Sequence, residues 1–332
     1  MSQVLSSLAR RRALRGSVVG VVALGLLLWW LLPLGEKPPT GTIVFSTGTP
    51  RGVYQEYGER LRTELGRDMP GLTVKLLNSA GSQENIQRLA DGKTDFTIAA
   101  ADAVETYELQ HPDSAGRLRG VARLYDDYVQ LIVPTGSKIS SVADLRHKRV
   151  ATGLRNSGVR LIADRVLRAA GIDPKKDITP VSEGIDTGPD RLRQGRIDAF
   201  FWSGGLPTKG LMGLAKQSAF KFVPIGEDLL TRLHADGEAG RYYRATTIPE
   251  SAYAGLQYGS AVPTIAVSNL LMTRKDMDPR LTEWVTRTVI KSRDDIGAHV
   301  HSAQLVDLRT AIYTDPLMLH EGARRYYRSV KP

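Results

Sequence analysis

The sequence predicts an α/β protein of two lobes joined by a two-strand hinge, preceded by an N-terminal transmembrane helix. Three observations carry that expectation. An uncharged apolar run extends from Gly16 to Gly35, short β-branched runs then alternate with amphipathic segments, and a glycine-acid motif occurs once in each half of that alternation.

The apolar run comes first. Its core, Val18 to Leu32, is long enough as a helix to span about 30 Å of hydrocarbon. Arg10, Arg11, Arg12 and Arg15 precede it with no acid among them, so the positive-inside bias keeps the N-terminus in the cytoplasm and exports the rest of the chain. Residues 1–15 therefore read as a cytoplasmic basic arm, 16–35 as a single-pass anchor or uncleaved signal, and 36–41 as a helix-breaking linker. A cleaved signal peptide is the competing reading. Against it stand the absence of an A-x-A-like site before Lys37 and an apolar run longer than the usual ~7–15 residues.

The alternation comes second. Strands are expected at Thr42–Ser46, Leu72–Leu77 and Phe96–Ala100, with helices at Tyr54–Leu65 and Ser82–Ala90, the latter capped by the Ser82 hydroxyl. The pattern recurs as strands Arg149–Thr152, Ile178–Val181 and Ile197–Trp202, with helices Ser157–Ala170 and Pro189–Gln194. Such alternation predicts βαβ units and a mainly parallel sheet. Tyr128–Val133 and Val262–Met272 are apolar strands that enter and leave the second block, which makes them the expected hinge. Residues 42–130 and 268–332 then form lobe 1, and 131–267 form lobe 2.

The third observation is an internal echo. Leu89 to Phe96 and Leu192 to Phe200 each read as a helix end, a glycine, an acid three residues on, and an apolar strand. Two lobes built on one plan give that echo, although helix, glycine cap and strand also succeed one another in any α/β protein.

Composition narrows the function. The 332 residues, 42% hydrophobic and 24% charged, suffice for two cores. The absence of cysteine removes disulfides, thiolate zinc sites, thiol nucleophiles and an acylated anchor. The net charge of +10 is scattered along the chain, which argues against a nucleic-acid partner. It suits either steering of an anionic solute or a surface near anionic lipid. No G-x-S-x-G, H-E-x-x-H or G-x-x-x-x-G-K-[ST] motif is present, and His299 and His301 fall on different helix faces. No catalytic residue, metal or cofactor is expected.

In open parallel sheets, ligands bind beyond the carboxyl ends of the strands, where helix N-termini offer free amides. The loops there are small and polar on both expected lobes: Ser46 to Tyr54, Asn78 to Ser82, Ala101-Asp102, Gly153 to Gly158, and Trp202 to Gly205. Thr47, Gly48, Arg51, Tyr54, Ser79, Asp102, Arg155, Asn156, Ser157, Gly158, Trp202 and Ser203 are the candidate solute contacts. Arg51 and Arg155 are read as guanidinium partners for an acidic solute, or as solvated arginines. Tyr54 and Trp202 pack on the solute's carbon skeleton or in the core. Asp102 either binds an amino group or caps the helix at Ala103.

The chain resembles the TAXI-type solute-binding subunits of tripartite ATP-independent periplasmic (TRAP) transporters over residues 41–330. The resemblance rests on Thr47-Gly48-Thr49-Pro50-Arg51-Gly52-Val53-Tyr54 for T-G-x-x-x-G-x-Y, Gly81-Ser82-Gln83-Glu84-Asn85 for G-S-x-E-N, and Gly92-Lys93-Thr94-Asp95-Phe96 for G-x-x-D-F/L. Ser141 to Leu145 with Lys148 to Ala151, Gly195 to Phe201, Thr247-Ile248-Pro249, Val262 to Val267 and Leu319 to Ala323 come next in family order. It implies a type II periplasmic-binding-protein fold, closure like a flytrap, no cofactor, no enzymatic activity, and delivery of a small carboxylate or an amino acid such as glutamate to TRAP permease subunits. The protein is expected to act as a monomer. Two departures bear on the solute: Leu154 to Val159 replaces the family's P-G-S-G-T turn, and Phe200-Phe201-Trp202-Ser203-Gly204 adds bulk to F-F-x-x-G. A binding protein for an ABC importer and a tethered solute sensor share these features and stay open as alternatives.

Overall fold

The computed structural model describes residues 37–114, 116–253 and 260–330. The basic arm and the apolar run lie outside the described residues, and among the described residues no helix is long and apolar enough to cross a membrane.

Residues 39–332 form one compact unit. Its elements in chain order are β1 (Gly41–Ser46), α1 (Val53–Asp68), β2 (Leu72–Leu77), α2 (Ser82–Ala90), β3 (Phe96–Ala100), α3 (Ala101–Gln110) and β4 (Leu118–Pro134). Next come β5 (Arg149–Ala151), α4 (Gly158–Ala169), β6 (Thr179–Val181), α5 (Gly188–Arg193), β7 (Ala199–Gly204), α6 (Lys209–Ala215), β8 (Phe220–Val223), α7 (Glu227–Ala235) and β9 (Tyr243–Ile248). The chain closes with β10 (Val262–Arg274), α8 (Pro279–Lys291), α9 (Arg293–Gly297) and α10 (Glu321–Ser329).

The strands join in one sheet of order β2-β1-β3-β10-β4-β7-β5-β6, with β8 beside β4 and β9 beside β10. The outer pairs are parallel, as βαβ units require, but β3/β10, β10/β4 and β4/β7 are antiparallel. The sheet is therefore mixed rather than mainly parallel, because the chain runs back through its middle twice. Strand β4 is also much longer than the expected Tyr128–Val133. Its first part pairs with β10 as far as Tyr128, and from Tyr128 onward it pairs with β7 and then β8. Strand β10 likewise pairs with β9 over residues 262–267 and with β3 over 269–273. Two strands thus change partners in midcourse, and one sheet acquires two halves.

Each half has its own apolar core. Phe45, Leu61, Phe96, Leu271, Val285 and Tyr327 centre one; Leu131, Val150, Ile162, Val166, Phe201 and Ile265 centre the other.

The sequence echo has a physical basis. Gly92 and Gly195 end α2 and α5 at φ of 72° and 65°, a left-handed conformation that suits glycine. Three residues on, Asp95 and Asp198 perform the same task. The Asp95 carboxylate accepts from the Val44 amide at 2.8 Å while its own amide donates to Val44 O at 2.8 Å, and Asp198 does the same with Arg149 at 2.8 Å each way. Each acid pins the start of its strand to the first strand of its half.

Ser82 is not the N-cap of α2. That place belongs to Gly81, and the Ser82 hydroxyl instead accepts from the Ala100 amide at 3.1 Å, which ties the helix start to the end of β3. His320 does cap α10, its Nδ1 accepting from Gly322 N at 3.1 Å.

Gly322 seats α10 on the backbone of α8. A Cβ there would lie 2.0 Å from Pro279 O and 2.7 Å from Glu283 N. Backbone atoms inside a helix yield little, so Gly322→Ala is expected to lower the unfolding free energy by about 2 kcal/mol. Urea unfolding of the variant checks this; a wild-type midpoint means that the two helices can part without loss.

Candidate functional site

A cleft opens where β4 leaves β10 for β7. Loops at the carboxyl ends of β1, β2, β5 and β6 overhang it together with the end of β7, and α1, α2 and α4 begin at its edge. The cavity that remains inside measures about 50 Å³. Gly48, Thr49, Tyr54, Gly81 and Ser82 line it from one half; Gly153, Ser157, Gly158, Trp202 and Ser203 line it from the other; Asp127 of β4 lies at the crossover.

The halves touch around the cavity. Glu84 N donates to Asn156 O at 3.0 Å, Gln83 Nε2 to Ser157 O at 2.7 Å, and Arg51 N to the Asp186 carboxylate at 2.9 Å. Lys209 pairs with Glu56 across the same boundary. The helix starts also approach closely. A Cβ on Gly158, the first residue of α4, would sit 2.8 Å from Ser82 Oγ. Gly158→Val is therefore expected to leave the fold intact and to weaken solute binding about tenfold or more, because the valine obstructs closure and not either core. Titration calorimetry beside a thermal melt separates the two effects; a lower melting point with unchanged affinity would locate the clash within one half.

The lining polar groups are only partly satisfied. Thr49 Oγ1, Asp127 Oδ1 and Ser203 Oγ are buried without a hydrogen-bond partner among the described residues. Tyr54 is satisfied: its hydroxyl donates to Asn269 Oδ1 and lies 3.2 Å from Ser82 Oγ. Burial, and then the nearby Asp127 carboxylate, push the Tyr54 phenol well above its ordinary pKa, so it stays neutral.

Asp127 is the unusual group. Neighbouring side chains on a strand point to opposite faces. Asp126 accordingly turns to Arg123 and Arg244 and is fully paired, whereas Asp127, 4% exposed, turns to the cavity with no cation beside it. Burial pushes its pKa up to about 7, with the Asn269 amide acting the other way. Among the described lining residues there is no Lys, Arg or His.

The structure brings six of the sequence candidates to the cavity: Gly48, Tyr54, Ser157, Gly158, Trp202 and Ser203. Trp202 also belongs to the core, its indole N–H donating to Thr208 Oγ1 at 3.0 Å. The other six stand elsewhere. Thr47 and Ser79 are buried beneath the first loop, where Ser79 Oγ donates to Thr47 O at 3.0 Å. Asp102 neither lines the cavity nor caps α3 through its side chain; fully buried, it accepts from Arg165 at 2.8 Å and from Tyr243 at 2.7 Å.

Arg51, Arg155 and Asn156 are exposed for one shared reason, the tight turn. Gly52 N donates to Thr49 O at 2.9 Å and Ser157 N to Leu154 O at 3.2 Å, so Pro50-Arg51 and Arg155-Asn156 occupy turn corners, which project outward. Pro50 and Asn156, the latter at φ 63°, are the residue types that such corners favour. Sequence reasoning passed over Asp127, whose signal was an acid at the head of an apolar strand. Among the described residues no group of three His, Asp or Glu side chains is placed to hold a metal ion.

Known proteins share this fold. A putative L-cystine ABC transporter from Listeria monocytogenes superposes with a TM-score of 0.52 at 17% identity, over 81% of this chain and 99% of that one. The alkanesulfonate-binding protein SsuA from Xanthomonas axonopodis pv. citri, bound to MOPS, superposes with a TM-score of 0.50 at 15% identity, over 90% and 86%. The fold is thus α/β and like that of periplasmic binding proteins. A model of the NMT1-like family matches residues 45–330, and the chain belongs to that family.

Proposed function

Proceeding from membership of the NMT1-like family, we propose that the chain captures a small solute in the cleft at the β4 crossover and releases it to a membrane permease. It is a solute-binding receptor and not an enzyme. The observation that carries the reading is the composition of the cleft wall: helix N-termini and unpartnered polar groups contributed by both halves of one sheet.

On this reading residues 42–130 and 268–332 act as one lobe and 131–267 as the other, with β4 and β10 as the hinge that bends when the solute is enclosed. The apolar run 16–35 holds the receptor at the outer face of the membrane. The ordered TAXI-like motifs favour TRAP permease subunits as the partner. The name of one structural neighbour, the putative L-cystine ABC transporter, favours an ABC importer as the second reading.

Solution scattering of the full-length chain in mild detergent, with and without a solute found by thermal-shift screening, tests the receptor function. The radius of gyration is expected to fall on binding, and a panel in which nothing shifts the melt or the scattering would sink the reading. Co-purification with each class of permease decides the partner.

A further inference from the structure

Among the described lining residues the cleft holds one carboxyl side chain where the usual logic of folding would place none. Asp127 is 4% exposed, lines the cavity, and carries an oxygen with no hydrogen-bond partner among the described residues. A buried carboxylate is ordinarily paired, and its neighbour Asp126 is. The first turns of α2 and α4, helices of nine and twelve residues, line the same cavity; their third amides are taken, by Asn156 O and by Ser157 Oγ, and their first two have no intrahelical acceptor. Helix starts favour negative charge, and no cationic side chain among the described lining residues competes for it. The lining therefore combines an acid at the β4 crossover with electropositive amides at the helix starts. Its volume of about 50 Å³ has room for about four water-sized groups.

We propose that the solute is a small zwitterion, an amino acid with a single carboxylate, whose ammonium group is received by Asp127 and whose carboxylate lies against the starts of α2 and α4. The inference rests on the receptor reading above and narrows it. A second carboxylate, as in glutamate, finds no cation in the lining, and an acid without an amino group leaves Asp127 buried and unpaired.

The test is calorimetry on the full-length chain in mild detergent with matched probes: L-alanine and L-serine, their nitrogen-free counterparts propionate and lactate, succinate, L-glutamate, and glucose. Alanine or serine is expected to bind, with propionate, lactate and succinate at least tenfold weaker and glutamate weaker than alanine. Asp127→Asn, which keeps the shape of the side chain, is expected to lose about thirtyfold or more for the amino acid. A thermal melt shows that this variant folds, and Asp127→Glu is expected to restore part of the loss.

If propionate, succinate or glutamate binds as tightly as alanine, or if Asp127→Asn binds the amino acid unchanged, the zwitterion assignment is wrong and the receptor reading stands. If glucose alone binds, the outcome is the same. If no probe binds and no broader solute screen shifts the melt, both fall together.

Discussion

Asp127→Asn is expected to make the solute-free protein more stable at pH 8 and no more stable at pH 4. The folded-state pKa of Asp127 is about 7 against an ordinary 3.8, and the cause is burial. Below pH 4 the group is protonated whether the chain is folded or not, and it contributes no difference. Between pH 4 and 7 only the folded chain holds the proton, so stability falls as pH rises. Above pH 7 both states are ionised and the folded state bears the full cost of a buried charge, about 4 kcal/mol. Asparagine does not titrate, so the gap between variant and wild type should open across that window and stay constant beyond it. Urea unfolding at pH 4, 6 and 8 measures the gap, and an equal gap at all three would mean that Asp127 is not a buried ionisable group. Together with the loss of solute binding, a gain in stability is what a group kept for its ligand should show.

The other large effect concerns a buried ion pair between the halves. Arg165 of α4 pairs with Asp102 of α3 at 2.8 Å, Tyr243 of β9 donates to the same oxygen at 2.7 Å, and Arg165 also reaches Thr106 Oγ1 at 2.7 Å. The other Asp102 oxygen has no partner among the described residues, so Arg165 supplies the whole of the carboxylate's counter-charge. Arg165→Met removes it and leaves a buried charge that costs about 3 kcal/mol or more in the closed form. In an open form water reaches Asp102, so the loss should appear as opening. Solute affinity is expected to fall about a hundredfold, and scattering should report a larger radius of gyration. Adding Asp102→Asn removes the stranded charge, so the double variant should regain most of the affinity. If it is no better than Arg165→Met alone, the pair is not what keeps the cleft shut.

Both predictions turn on acids that the sequence presented without distinction. Asp102 was legible as a loop-end acid and was a candidate solute contact, yet a residue 63 positions away claims it. Asp127 was one of two adjacent acids, and nothing local says which of them faces a cavity. Alternation assigns them to opposite faces, but which face is the cleft depends on where β4 exchanges β10 for β7. The two arginines illustrate the converse. Pro50 and Asn156 were turn signals beside them, and weighing those signals would have sent both guanidinium groups to solvent.

What the sequence determined by itself was whatever depends on periodicity and on short-range hydrogen bonding. The βαβ succession, the glycine ends of α2 and α5, and the helix starts that frame a cleft are local, and they were readable; the matched acids Asp95 and Asp198 were readable as an echo, while their partners Val44 and Arg149 lie 51 and 49 positions away. What only the tertiary structure decided was which polar groups share a space. The antiparallel middle of the sheet, the 17-residue span of β4 and the pairing of Asp102 with Arg165 arise from contacts between distant segments. The charge of the cleft followed from these contacts: tight turns aim the arginines outward, and the partner exchange of β4 leaves one carboxyl group, among the described residues, facing the cavity.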